Sequence, residues 1–101
     1  MVKVRLEFFG WSIENSEVPE VNGKRVLEVT IEDRSTINEL LQKILNQYPY
    51  LIKGIYDAKS HSLNESINIF LNGELVVPRE IHHRELKDGD VLTFLVLSGG
   101  G

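Results

Sequence analysis

One amphipathic segment near the middle of the chain limits the possible folds more than any other feature. Its apolar residues recur at the spacing of one face of an α-helix, and they are Ile37, Leu40, Leu41, Ile44, Leu45 and Tyr48. Thr36 and Glu39 have the spacing of a capping box, with Ser35 as an alternative N-cap, and Pro49 cannot continue the helical hydrogen bonds. The sequence therefore predicts one helix over about 37–48 whose apolar face must pack on another element.

The other regular segments have the alternation or composition of β-strands. We expect strands at 2–8, 25–31, 67–71, 74–77 and 91–97. Asn72-Gly73 predicts a two-residue turn within a hairpin, and Pro78 places the strand before it at a sheet edge. The 91–97 segment is almost wholly apolar, which predicts a central strand buried on both sides. Together these elements predict an α+β fold, a mixed sheet of four to five strands with one main helix packed on one face.

Two stretches lack a regular pattern. Residues 11–24, which include Pro19 and an Asn22-Gly23 pair, predict a long irregular connection. Residues 50–66 predict a loop with at most one short turn. A length of 101 residues suits a single core, so we expect one domain over 1–97 followed by a flexible glycine tail over 98–101.

Composition excludes several classes of function. The chain has no cysteine, so disulfides, thiolate metal ligands and cysteine nucleophiles are all ruled out. A net charge of −4 with scattered Lys and Arg opposes nucleic-acid binding. No apolar run reaches the length of a signal peptide or a membrane span, so we expect a cytoplasmic protein with no nucleic-acid or membrane partner.

The polar side chains do not suggest an internal active site. His82 and His83 are adjacent, so on an extended segment they point apart, and no third metal ligand is evident. The carboxylates of the 80–90 region form no recognisable acid/base pair, and no glycine-rich phosphate loop separates a strand from a helix. We expect no metal and no bound cofactor, and whether the chain is part of an enzyme stays open; a carrier or non-catalytic subunit fits best.

The most unusual feature is the end of the sequence. The last apolar strand runs directly into Ser98, Gly99, Gly100 and Gly101, which in extended form reach about 13 to 14 Å. Without side chains, such a tail could enter a narrow channel in a partner, although a frayed end is the plain alternative. An ionised carboxylate is a poor electrophile and needs activation. After adenylation by a partner enzyme that uses ATP, a sulfur donor would give a thiocarboxylate, and a lysine would give an amide.

A second candidate site is an apolar surface on the sheet. Phe70 lies on the opposite side of its strand from Ile67, Ile69 and Leu71, and together with Leu92, Phe94 and Val96, or with their alternate neighbours, it could form an exposed docking patch. A core filled from both faces of the sheet is an equally good explanation. Trp11 could anchor a partner, but an aromatic residue there more commonly covers one end of a core.

Several of these residues together resemble a known family. The order of elements, Asn72-Gly73, the run from Asp88 to Leu92 and the terminal glycines are similar to the ubiquitin-like sulfur carriers. That family includes the small subunit of molybdopterin synthase, the thiamine sulfur carrier and the ubiquitin-related modifier. Gly99 adds a third glycine, and Val96-Leu97 stand where the molybdopterin branch often has prolines.

The resemblance implies a β-grasp fold, an adenylating enzyme of the ubiquitin-activating type, and adenylation and thiocarboxylation at Gly101. For the molybdopterin branch it also implies a large catalytic subunit that receives the tail. Three functions remain open on the sequence alone. They are a sulfur carrier, a modifier joined to target lysines through Gly101, and a non-covalent adaptor whose sheet binds a partner.

Overall fold

A computed structural model describes residues 1–9, 18, 20–52, 56–64 and 67–96, with only the backbone of 20, 21 and 96. The strands are β1 (Val2–Phe9), β2 (Glu20–Val21), β3 (Lys24–Ile31), β4 (Tyr56–Asp57), β5 (Ser62–Leu63), β6 (Ile67–Leu71), β7 (Glu74–Val76) and β8 (Val91–Val96). The helices are α1 (Ile37–Gln47), α2 (Pro49–Ile52) and a 3₁₀ helix (Pro78–His82). The five predicted strands and the main helix are all present, within one or two residues at each end.

The main sheet has six strands in the order β2-β3-β1-β8-β6-β7. β1 and β8 run parallel, with Leu6 beside Leu92 and Phe8 beside Phe94, and every other pair is antiparallel. β8 is central, as predicted, and the sixth strand is the two-residue β2. β4 and β5 form a separate hairpin. β8 thus lies between two hairpins, parallel to β1 of the first and antiparallel to β6 of the second.

The main helix begins and ends where its sequence signals predict. The Thr36 hydroxyl accepts a hydrogen bond from the Glu39 amide at 3.2 Å, and the Glu39 carboxylate accepts one from the Thr36 amide at 2.9 Å. These bonds satisfy amides that the first turn leaves without helical partners. The helix ends at Gln47, with Tyr48 as its C-cap, directly before Pro49. Local sequence therefore determines both ends of α1.

The core lies between α1 and one face of the sheet. The helix buries Ile37, Leu40, Leu41 and Ile44, and the sheet buries Val4, Leu6, Phe8, Val29, Ile31, Ile67, Ile69, Leu71, Val76, Leu92 and Phe94. The rings of Phe8 and Phe94 stack with centroids 4.6 Å apart. Each large side chain buried in this way contributes about 1.5 to 3 kcal/mol of transfer free energy, before conformational entropy is counted.

Two predictions about the fold are wrong. The stretch predicted as loop contains α2, which buries Leu51 and Ile52, and the small hairpin of β4 and β5. Four- and two-residue elements are too short to give a periodic pattern, so only packing against the core reveals them. β8 is not buried on both sides either, because Val91, Thr93 and Leu95 are only half-buried on the face away from α1.

The connection after β1 is described only in part. Val18 is buried in the core, and its backbone carbonyl accepts a hydrogen bond from the Arg25 guanidinium. The chain then forms β2 and turns back through Asn22 and Gly23 into β3. Trp11 lies outside the described residues, so its predicted role is untested. None of the described helices is long and apolar enough to cross a membrane.

Candidate functional site

The sheet brings the end of β8 close to two other strands. Leu95 pairs with Phe9 at the end of β1, and Val96 pairs with Ile67 at the start of β6. The sequence beyond this point, including Ser98, Gly99, Gly100 and Gly101, lies outside the described residues. The predicted tail and the predicted domain boundary at residue 97 therefore remain predictions, and the structure describes the end of the central strand from which the tail would start.

The two aromatic residues predicted for docking lie on opposite faces of the sheet. Phe70 is half-buried on the face away from α1, where it pairs with Leu75 on β7 and with Thr93 on β8. Phe94 faces the core, is 0% exposed and stacks on Phe8. The prediction that Phe94 contributes to an exposed patch is wrong, because an even-numbered residue of β8 points toward the helix.

The face away from α1 nevertheless has an apolar half. Its members, which we call the open patch, are Phe9, Phe70, Leu75 and Leu95. Val26 lies on the same face, but Glu7 and Thr93 separate it from them. Leu75 is 56% exposed and lies opposite Phe70, so its apolar surface is part of a patch and does not stand alone. The sequence alone leaves open which residues of β8 share a face with Phe70. The structure shows that they are the odd-numbered ones.

Charged residues border the open patch on the β1 side. The Glu7 carboxylate accepts a hydrogen bond from Arg5 Nε at 2.9 Å and lies 3.5 Å from Lys24 Nζ. Lys24 also sits 5.7 Å from the centre of the Phe9 ring. The hydrogen bond from Arg5 holds the pKa of Glu7 below its usual value. Partial burial raises this pKa, and the charge of Lys24 lowers it. The patch therefore has an ion-paired border.

A network of hydrogen bonds holds the beginning of β8. The Asn72 side chain donates to Asp90 Oδ1 at 3.0 Å and accepts from the Val91 amide at 2.9 Å. Asp88 Oδ1 accepts from the Lys3 amide at 2.8 Å, and the Gly89 amide donates to the Lys3 carbonyl at 2.9 Å. The sequence predicts the turn at Asn72-Gly73, but it does not show that this turn bonds to the start of β8.

The described surface lacks the geometry of an active site. A shallow pocket of about 380 Å³ lies beside the start of β8, and its walls carry both charges, from Lys3 and Arg5 and from Glu28, Asp88 and Asp90. His82 and His83 are exposed. Among the described residues, no group of His, Asp and Glu side chains is arranged to hold a metal ion. What the described residues do build is a six-stranded sheet whose central strand ends beside the open patch.

This architecture defines a class: a ubiquitin-like β-grasp protein, in which the last strand lies between the two hairpins. The chain belongs to the ThiS family of ubiquitin-like sulfur carriers, whose model matches residues 8–101. Carriers of this family are adenylated by an activating partner of the ubiquitin-activating type. Among curated proteins, none matches the sequence significantly.

Solved structures support the fold. A crystal structure of SAMP1 from Haloferax volcanii matches with a TM-score of 0.71 at 21% identity, covering 98% of this chain and 99% of that chain. The solution structure of small archaeal modifier protein 1 from Methanosarcina acetivorans matches with a TM-score of 0.58 at 25% identity, covering 100% of this chain and 98% of that chain. The predicted β-grasp fold is therefore confirmed.

Proposed function

We propose that this protein carries sulfur as a thiocarboxylate on Gly101 and delivers it to a biosynthetic enzyme. The observation that carries the proposal is the family match, which extends through Gly101 and so includes the terminal glycines. The position of β8 supports it, since a central strand between two others gives a tail a fixed starting point. By resemblance, the sulfur acceptor is the large subunit of molybdopterin synthase or an enzyme of a related sulfur transfer.

The chemistry takes place in a partner enzyme. A carboxylate oxygen of Gly101 attacks the α-phosphorus of ATP, and pyrophosphate leaves, which gives an acyl adenylate. A sulfide-level donor then attacks the carbonyl carbon, the bond to AMP breaks, and a thiocarboxylate results. The role of this chain is to present the carboxylate: Gly99 and Gly100 have no side chains to obstruct entry, and Leu97 and Ser98 separate them from β8 in the sequence.

Docking of the activating enzyme is assigned to the open patch. Ordering a flexible tail in a channel costs conformational entropy, so a second contact on the folded domain is needed to offset it. Phe70, Leu75 and Leu95 supply apolar area on the sheet that carries the tail, and the Glu7 ion pairs lie at its border. A matched pair of variants tests this: Leu75→Ser should raise the KM for activation, whereas Tyr50→Ser, which changes an equally exposed residue of α2, should not.

The test of the proposal is the intact mass of the protein before and after incubation with its activating enzyme, ATP and sodium sulfide. We expect a gain equal to the replacement of one oxygen by sulfur, located on the last peptide. A variant that lacks Gly101 should keep the fold and show no gain. If an activating enzyme with verified activity produces neither adenylate nor thiocarboxylate, the sulfur-carrier function is wrong and the adaptor function gains support.

A second candidate function is conjugation to other proteins. The observation that favours it is the similarity to small archaeal modifier protein 1 of Methanosarcina acetivorans at 25% identity over the full chain. The same adenylate would serve, with a lysine amine as the nucleophile and AMP as the leaving group. Mass spectrometry of cell extracts decides between the two: lysines that carry the C-terminal glycines of this chain support conjugation. Thiocarboxylate without such adducts supports the carrier alone.

A further inference from the structure

The alternation along β8 does not by itself specify where the strand pairs with its neighbours. Leu92 and Phe94 face the core, while Val91, Thr93 and Leu95 face outward. Because side chains alternate with a period of two, sliding the strand by two residues keeps apolar residues on the core face. The stack of Phe94 on Phe8 opposes such a slide. In a strand this uniformly apolar, the register needs a further determinant.

That determinant is the network at the start of β8, which we call the Asn72 clamp and define as Asn72, Asp88 and Asp90. Asn72 bonds the β6–β7 turn to Val91 twice: its side-chain oxygen accepts from the Val91 amide at 2.9 Å, and its own amide donates to the Val91 carbonyl at 2.8 Å. Its side-chain nitrogen donates to Asp90 Oδ1 at 3.0 Å. A slide of two residues would put Leu92 in the place of Asp90, so the bond to the Asp90 carboxylate exists only in the observed register.

The clamp also holds β8 on its other side. The Arg5 amide donates to the Asp90 carbonyl at 3.0 Å, and Lys3 exchanges two bonds with Asp88 and Gly89 at 2.8 and 2.9 Å. The second oxygen of Asp90 accepts from the Lys87 amide at 2.7 Å, which closes the turn. The first residues of the strand are thereby attached to β1 and to the β6–β7 turn together.

The loop before β8 makes a slide easier in one direction than in the other. Leu86 is buried, and its amide donates to the Ser35 carbonyl at 2.8 Å, so this point is anchored near the start of α1. Only residues 87–90 join Leu86 to Val91, too few to stretch without undoing the turn. Two extra residues, in contrast, fit this exposed loop as a bulge. Loss of the clamp should therefore shift β8 by two residues toward its N-terminal end. Residue 96 would then take the place of Phe94, and the C-terminal tail would reach less far beyond the sheet.

We propose that the Asn72 clamp locks the register of β8, and that Asn72 is therefore a positioning residue for the reaction at Gly101. A slide of two residues moves everything beyond the strand by about 6.6 Å relative to Phe9, Phe70 and Leu75, the members of the open patch that lie on other strands. With the partner docked on that patch, the carboxylate would then fall short of the reacting phosphate. The register itself is a property of the fold, whereas the effect on the reaction rests on the proposed function.

The structural test uses Asn72→Gly, which keeps the backbone conformation of the turn but removes the clamping side chain. Its matched control is Asn22→Gly in the other Asn-Gly turn. In nuclear Overhauser spectra we expect Asn72→Gly to show a second set of contacts, with residue 96 opposite Phe8 and Ile69 in place of Phe94. The control should show only the native set. A single native register in Asn72→Gly would overturn the proposal.

The kinetic test separates positioning from general loss of stability. At a temperature where circular dichroism shows both variants folded, we expect Asn72→Gly to lower the kcat of activation by about tenfold with the KM unchanged, since small misplacements of a reacting group are costly. Two extra glycines inserted after Ser98 should restore its kcat, because they replace the lost reach. Unchanged kcat, or a loss that the longer tail does not restore, would contradict the positioning role.

The register of β8 and the function of Gly101 can be disproved independently of each other. If the wild-type protein is not activated at all, the proposed function is wrong, while the spectra still decide whether Asn72 locks the register. If the wild type is activated and Asn72→Gly keeps both its register and its kcat, only the clamp proposal is wrong.

Discussion

The chain contains two Asn-Gly turns that are nearly identical in backbone conformation and very different in their surroundings. Asn22 and Gly23 have φ angles of 53° and 80°, and Asn72 and Gly73 have φ angles of 51° and 87°. Positive φ at both central positions matches the twist of a hairpin, and Asn and Gly are the residues that tolerate it best. Both dipeptides therefore make the same local turn.

What differs is how each turn is attached to the rest of the fold. The Asn72 side chain bridges to Asp90 and Val91 at the start of the central strand. Within the described part of the chain, the Asn22 side chain makes no such bond. Its turn is instead followed by Lys24, which lies near Glu7 and over the Phe9 ring. The same dipeptide thus serves as a simple reversal in one hairpin and as a tertiary contact in the other.

The largest expected difference comes from removing each Asn side chain without disturbing the turn. Asn72→Gly should lower the free energy of unfolding by about 2 kcal/mol, because it deletes two hydrogen bonds, one of them to a carboxylate. Asn22→Gly should change it by less than about 0.5 kcal/mol, since the turn conformation suits Gly. Urea denaturation of the two variants measures both values. Equal losses would show that the Asn72 bonds do not stabilise the fold.

A smaller effect should be the same in both turns. Gly23→Ala and Gly73→Ala place a side chain at positive φ, which costs about 1 kcal/mol in each case. An added Cβ would meet nothing within 4 Å at either position, so the cost is conformational only. Thermal unfolding of the two variants should give matching decreases in Tm. A clearly larger decrease for Gly73→Ala would mean that the second turn cannot relax because the clamp holds it.

The smallest effect should depend on pH and should concern the first hairpin. The pKa of Glu7 is below its ordinary value of 4.5, mainly because of the hydrogen bond from Arg5. A carboxyl with a lowered folded-state pKa adds stability above its unfolded pKa, and this is lost as the pH falls through the folded value. Glu7→Gln should therefore cost up to about 1 kcal/mol at pH 7 and progressively less below pH 4.5.

Unfolding of wild type and Glu7→Gln between pH 7 and pH 3 checks this. Glu28→Gln, which removes an exposed carboxylate from the same sheet face, is the control for the change in net charge. A stability difference between wild type and Glu7→Gln that stays constant over this range would contradict the ion-pair explanation.

Much of the fold could be predicted because its signals are local. Thr36 and Glu39 define the start of α1, and Pro49 defines its end. The hairpin of β6 and β7 follows from Asn72-Gly73. The short α2 and the hairpin of β4 and β5 could not be predicted, because they form only when Leu51 and Tyr56 pack into the core. Phe94 was placed wrongly because an apolar strand does not show which of its faces is covered.

The sequence by itself determined the main helix and the five longer strands, the absence of cysteine chemistry and the glycine-rich end that suggests a carrier. Each depends on residue type or on neighbours within a few positions. Tertiary structure alone decided that β8 lies parallel to β1, that Phe70 and not Phe94 faces the open patch, and that Asn72 bonds to Asp90. These features join residues that are far apart in the chain, and the packing of α1 on one face of the sheet selects among pairings that the local pattern leaves equivalent.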